Sequence, residues 1–132
     1  MSPPLFRKID CLQLPVPDID AGLAFYRDRL GHELKWRTPT AAGLAMPGTD
    51  AEIVLQSERP LPEVDLTVES ADEAAARFAE AGGRLLRGPF DIQIGRCAVV
   101  QDPWGNVLVL LDASKGPLRT DAEGNVVGNQ PS

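Results

Sequence analysis

Clustered lysine and arginine are missing from this chain, whose 13 basic and 19 acidic residues leave a formal charge of −6 over 132 residues. Nucleic-acid phosphates and anionic membrane surfaces both require a concentrated positive patch, so neither is an expected partner. No apolar run approaches the ~20 residues of a membrane span. Residues 1–4 lack the charged and apolar regions of a secretory signal, which makes a cytoplasmic location the expectation. Cysteine is scarce as well: Cys11 and Cys97 lie far apart without metal-knuckle spacing, and two reduced thiols are expected rather than a disulfide. The single histidine, His32, excludes a three-histidine zinc site within one chain. It follows Leu30 and Gly31, where a helix should stop and where a cation is favoured.

What is present is strand and turn punctuation around an ordinary hydrophobic content of 43%, enough for one domain or two small modules sharing a core. Asp102-Pro103-Trp104-Gly105-Asn106 reads as a hairpin turn entering the buried strand Val107-Leu108-Val109-Leu110-Leu111. Met46-Pro47-Gly48-Thr49-Asp50 precedes Ile53-Val54-Leu55 in the same way. Residues 8–16 alternate, with Leu12, Leu14 and Val16 on one face and Cys11 and Gln13 on the other, as in a half-buried strand. Asp18 then supplies an N-cap, and Leu23, Phe25, Tyr26 and Leu30 recur at helical spacing until Gly31. Three short strands follow at residues 33–37, 43–46 and 52–56.

After a linker at residues 58–62, its Pro60 and Pro62 favouring an extended path, the pattern restarts. Residues 64–69 alternate, Ser70-Ala71-Asp72 caps an alanine-rich helix, and Gly82-Gly83 ends it. Strands are expected at 84–86, 92–100 and 107–111. Laying Asp18 on Asp72, and Ile53-Val54-Leu55 on Leu108-Val109-Leu110, gives two copies of one βαβββ unit. The domain therefore spans 5–113, as modules 5–57 and 63–113. The polar tail 114–132 is either a docked hairpin, turning at Asp121 to Asn125, or a frayed end.

Val16-Pro17-Asp18, Phe25-Tyr26-Arg27-Asp28-Arg29-Leu30-Gly31 and Asp102-Pro103-Trp104-Gly105-Asn106 together resemble the vicinal oxygen chelate superfamily, which includes glyoxalase I, extradiol dioxygenases and bleomycin-resistance proteins. The resemblance implies an α+β fold of two βαβββ modules whose mixed sheet curls around a concave face, with helices outside and commonly a homodimer. It also implies four metal-ligand positions, one on the first and one on the last strand of each module. Counting seven residues back from Asp18 and Asp72 gives Cys11 and Asp65; seven on from Asp102 gives Val109, and the repeat gives Val54. Valine donates no electron pair, so the inherited metal is expected to be absent, and no other cofactor is implied.

The candidate ligand-binding residues are Cys11, Gln13, Trp36, Glu52, Val54, Gln56, Asp65, Thr67, Arg96 and Val109. Trp36 offers a flat surface for an aromatic ligand or for packing. Asp65 is a candidate general base or an ion-pair partner. Cys11 is a soft ligand contact or a small buried hydrophobe, and Arg96 holds a carboxylate or phenolate, or is a surface charge. Gln13, Glu52, Gln56 and Thr67 are hydrogen-bonding candidates. The leading expectation is a metal-independent binding protein of the bleomycin-resistance kind, sequestering a neutral or cationic, partly aromatic molecule in a dimer-completed pocket. The rivals are a glyoxalase-like lyase, isomerase or dioxygenase with a rebuilt site, and an accessory subunit with a vestigial pocket.

Overall fold

A computed structural model describes residues 3–130; the first two residues of the N-terminal stretch and the last two of the tail lie outside the described residues. The chain divides into two compact units. The first comprises Asp10–Glu63 with Leu118–Gly128, and the second comprises Val64–Pro117 with residues 3–9 and 129–130. Among the described residues no helix is long and apolar enough to cross a membrane.

In the first unit, β1 (Lys8–Pro15), β2 (Leu34–Arg37), β3 (Ala41–Met46) and β4 (Thr49–Gln56) lie in the order β2-β3-β4-β1, with β1 parallel to β4 and the other pairs antiparallel. Asp18 caps α1 (Ile19–Leu23) by accepting the Ala21 N–H at 2.7 Å. The helix then widens to π geometry over Ala24–Arg29 and ends at Gly31, whose φ is +85°. That widening corrects the uniform helix expected to Leu30. Leu23 is buried and Tyr26 packs on the core, whereas Phe25 and Leu30 stand about half exposed, because the wider turn carries them off the packed face. The core of this unit joins Ile19 and Leu23 to Ala42, Leu44 and Leu55, with Leu14, Val16 and Ile53 against them. Leu12, expected beside Leu14, is instead exposed.

The second unit repeats the plan. Its strands β5 (Glu63–Thr67), β6 (Arg84–Ile92), β7 (Gly95–Gln101) and β8 (Val107–Leu111) lie in the order β5-β8-β7-β6, and α2 (Ala71–Glu80) packs on Val68, Val100 and Leu110. The expected strands at 84–86 and 92–100 are redrawn: β6 runs on to Ile92, and the hairpin turns at Gln93 and Ile94. Gly88 and Pro89 do not end the strand, because a register shift between Arg87 and Phe90 absorbs them as a bulge. The Asp102 turn is closed as its composition suggests. Asp102 Oδ1 accepts from the N–H groups of Trp104 and Asn106, both at 2.9 Å, and Gly105 takes a φ of +93°.

The cap of α2 is Ser70, whose hydroxyl accepts the Glu73 N–H at 3.2 Å; Asp72 already lies inside the first helical turn. The alignment of Asp18 on Asp72 is therefore corrected by two residues. Strand pairing confirms the corrected frame: Gln13 faces Val54 and Asp65 faces Val109, while Val16 N–H donates to Gln56 O as Val68 N–H donates to Leu111 O. Asp65 thus corresponds to Gln13 rather than to Cys11. Ser70→Ala should cost about 1 kcal/mol, the usual worth of such a cap, measured as a lower urea midpoint with an unchanged m value.

The tail forms a hairpin of β9 (Leu118–Thr120) and β10 (Val126–Asn129). In the first unit it meets β2, where the Arg37 N–H donates to Gly124 O at 2.7 Å.

Candidate functional site

In the first unit the helix covers one face of the sheet, and alternation sends Cys11, Gln13, Glu52, Val54 and Gln56 to the other. Cys11 and Glu52 are register partners, as are Gln13 and Val54. Trp36, on the edge strand β2, lies across Gly43 of β3 and donates its indole N–H to Glu52 Oε1 of β4 at 2.8 Å. A Cβ at Gly43 would overlap the indole ring. Glycine is what lets the indole lie against the strand and span β3.

Glu52 is shielded enough for desolvation to push its carboxyl above the ordinary value. The Trp36 hydrogen bond opposes this, Asp10 adds to it and Lys35 reduces it. The site therefore combines a half-buried aromatic surface with a proton-accepting group bound to it. Gln13 and Gln56 are used differently. Gln13 Oε1 accepts from the Arg59 guanidinium, and the Gln56 side chain accepts the N–H groups of Glu58 and Arg59 and donates to Arg59 O. Both amides hold the expected linker in place.

In the second unit the face away from α2 carries Asp65, Thr67 and Val109. Beside them is an apolar cluster of Cys97, Val109 and Leu111 with Phe90, Ile92 and Val99. Asp65 is 4% exposed. Thr67 Oγ1 is buried and has no hydrogen-bond partner among the described residues. Arg96 binds carboxylates of its own unit: its guanidinium reaches Asp72 at 3.1 Å and Asp91 at 3.3 Å and also donates to Pro89 O. Those ion pairs raise its pKa, the Asp72 hydrogen bond contributing most. Cys11 and Cys97 are buried thiols, and His32 Nδ1 lies 3.1 Å from Ala45 O.

With the cap of α2 at Ser70, the position seven residues before it is Glu63, so the four ligand positions that the resemblance implies would hold Cys11, Val54, Glu63 and Val109. Glu63 pairs with Arg59 at 3.6 Å. Two of the four side chains have no lone pair to give, and this donor set does not fit the four-ligand centre.

Two features escaped the sequence reading. Gly43 carried a usable signal, since a glycine inside a strand marks a close approach. Asp112 is the other: only 5% exposed, it accepts from the N–H groups of Ala71, Arg96 and Ser114 and from the Ser114 hydroxyl.

The family model for the Glyoxalase/Bleomycin resistance protein/Dioxygenase superfamily matches residues 8–110. The chain belongs to this superfamily. An uncharacterized protein of Mycolicibacterium smegmatis is 34% identical over 113 residues, covering 82% of this chain and 96% of that protein. A putative glyoxylase, CFP32, of Mycobacterium bovis is 35% identical over 102 residues, which are 70% of this chain but 39% of that protein. Among solved structures, methylmalonyl-CoA epimerase from Mycobacterium tuberculosis superposes with a TM-score of 0.71 at 21% identity, covering 85% of this chain and 91% of that one. Homoprotocatechuate 2,3-dioxygenase from B. fuscum superposes at 0.63 and 23%, covering 83% and 33%. At such identities these two superfamily structures show the shared glyoxalase-like fold and nothing about chemistry.

Proposed function

We propose that this superfamily member is a metal-independent binding protein for a planar aromatic molecule, neutral or cationic, with a second copy of the chain completing the pocket. The observation that carries the reading is the indole of Trp36 held on Gly43 with its N–H on Glu52. The indole offers dispersion and quadrupole attraction to a flat ring, and Glu52 Oε2 accepts a hydrogen bond from a ring amine or ammonium group. The valines at 54 and 109 support binding over metal-assisted turnover.

Proflavine, a planar aromatic cation, is the first probe. Saturable binding that quenches Trp36 is expected in a Trp104→Phe background, where the exposed second tryptophan no longer contributes. Glu52→Gln should weaken proflavine at least about tenfold, the worth of one charge-assisted contact, while a neutral acridine loses less. Because the Glu52 carboxyl is raised, proflavine affinity should fall as pH descends through that raised value, and Glu52→Gln should abolish the dependence. A stoichiometric divalent metal whose removal abolishes an activity would sink the reading. Sedimentation of the protein as a monomer at working concentration would remove the second copy.

One observation favours a second reading. A carboxylate raised by burial is a stronger base than a free one, so Glu52 also qualifies as the base of an isomerase or lyase. The name of the M. bovis relative points the same way. Turnover of an enolisable carbonyl substrate, lost in Glu52→Gln, would favour it.

A further inference from the structure

The tail carries a second copy of the turn that marks the fold. Asp102-Pro103-Trp104-Gly105-Asn106 and Asp121-Ala122-Glu123-Gly124-Asn125 share their first, fourth and fifth residues. In the first turn, Asp102 N–H donates to Asn106 O at 2.9 Å, and the Asp102 carboxylate accepts from the N–H groups of Trp104 and Asn106 and from the Asn106 side chain. In the second, Asp121 N–H donates to Asn125 O at 2.9 Å, and the Asp121 carboxylate accepts from the N–H groups of Glu123 and Asn125 and from the Asn125 side chain. The two turns are chemically one device. They differ in what they join: the first connects β7 to β8, whereas the second presents Gly124 and Asn125 to the outer edge of β2.

β2 needs that support. It has four residues, it is the edge strand of its sheet, and its pairing with β3 shifts register between Leu34 and Trp36. On the far side, the Arg37 N–H donates to Gly124 O at 2.7 Å, and Arg37 forms a parallel bridge with Asn125. Gly124 has a φ of +87°, and a Cβ there would lie 3.3 Å from Leu34 Cδ2. The Arg37 guanidinium is tied to Asp20 of α1 at 3.3 Å. Trp36 is therefore flanked by a residue held from both edges of the strand, in a strand too short to hold itself.

We propose that the C-terminal hairpin is a positioning element for Trp36, its residue 121–125 turn completing the edge of β2 so that the indole stays on Gly43 with its N–H on Glu52. Asp121, Gly124 and Asn125 are positioning residues, and none of them is assigned a ligand contact. The consequence for ligand affinity rests on the binding reading above; the effect on the indole does not.

The twin turn supplies the control. In full-length Trp104→Phe protein, Asp121→Ala removes the turn that meets β2, and Asp102→Ala removes the same chemistry elsewhere. Trp36 emission and acrylamide quenching are then compared, without any ligand. Asp121→Ala is expected to shift Trp36 emission to the red and to raise its quenching constant at least about twofold, Asp121→Asn to recover most of the parent signal, and Asp102→Ala to leave it unchanged. Gly124→Val, which presses on Leu34 and strains the same turn through its positive φ while leaving the Asp121 side chain in place, should reproduce the shift. Proflavine affinity should fall with the same variants. Equal shifts from Asp121→Ala and Asp102→Ala, or no shift from Asp121→Ala and Gly124→Val, overturn the proposal. Absence of proflavine binding in the parent would remove the binding reading, while the emission comparison would still decide the positioning role.

Discussion

Gly43→Ala is expected to destabilise the protein by about 2–4 kcal/mol and to remove proflavine binding, although it adds a single methyl group. The reason is steric. The new Cβ would occupy space filled by the Trp36 indole, and no small adjustment clears a ring lying flat on a strand. The ring must leave, and two losses follow. Its apolar contact with β3 goes, and so does the N–H bond to Glu52, which a half-shielded carboxylate loses at a cost of about 1.5–3 kcal/mol. Trp36→Ala in the same background separates the effects: Gly43→Ala with Trp36→Ala should be less damaging than the sum of the two, because no ring remains to expel. Urea midpoints for the four proteins measure that coupling, and additive losses would count against the packed geometry.

Much of the scaffold was legible because its signals are local. Asp18 caps a helix, Gly31 and Gly82 end two, and the Asp102 turn is written in side chains that close on their own backbone. Alternation placed Cys11, Glu52 and Val54 on one face correctly, since strand periodicity leaves no freedom once one face is buried. The illegible parts depend on choices between equally good local signals. Ser70 and Asp72 both suit a cap, and only the strand pairing of Asp65 with Val109 and of Gln13 with Val54 fixes which one serves. The strand expected to end at Leu86 runs on to Ile92, because a bulge accommodates Gly88 and Pro89 while the β7 partner continues on either side.

The candidate site was legible as a collection of residues and not as an arrangement. Trp36 and Glu52 lie 16 positions apart, and neither sequence neighbourhood announces the other. Gln13, Gln56 and Arg96 had the right chemistry for a ligand, but Arg59 takes up both glutamine amides and the aspartates 72 and 91 take up the arginine. Long polar side chains satisfy whatever donor or acceptor is nearest, and that neighbour is set by tertiary structure.

Asp112→Ala is the second large effect, and its pH dependence identifies the cause. Asp112 sits against Gly95, where any Cβ would overlap it, and receives N–H groups from three separate places: the start of α2, the start of β7 and the segment after β8. Removing the carboxylate leaves the N–H of Ala71, itself fully buried, without its acceptor, at about 1–3 kcal/mol for that group alone. With the Arg96 and Ser114 bonds lost as well, the total should reach about 3–5 kcal/mol, a fall in Tm of roughly 10–15 °C. Burial by itself would raise the Asp112 pKa. The hydrogen bonds from Ala71, Ser114 and Arg96 outweigh it and hold the carboxyl below its ordinary 3.8 in the folded protein. A depressed folded value means that the stabilisation is complete above the unfolded pKa and is lost as pH falls through the folded one. The difference in urea midpoint between wild type and Asp112→Asn should therefore be constant from pH 7 to pH 5 and should shrink below pH ~4. A difference that persists unchanged at pH 3 would mean that Asp112 acts through its shape rather than its charge.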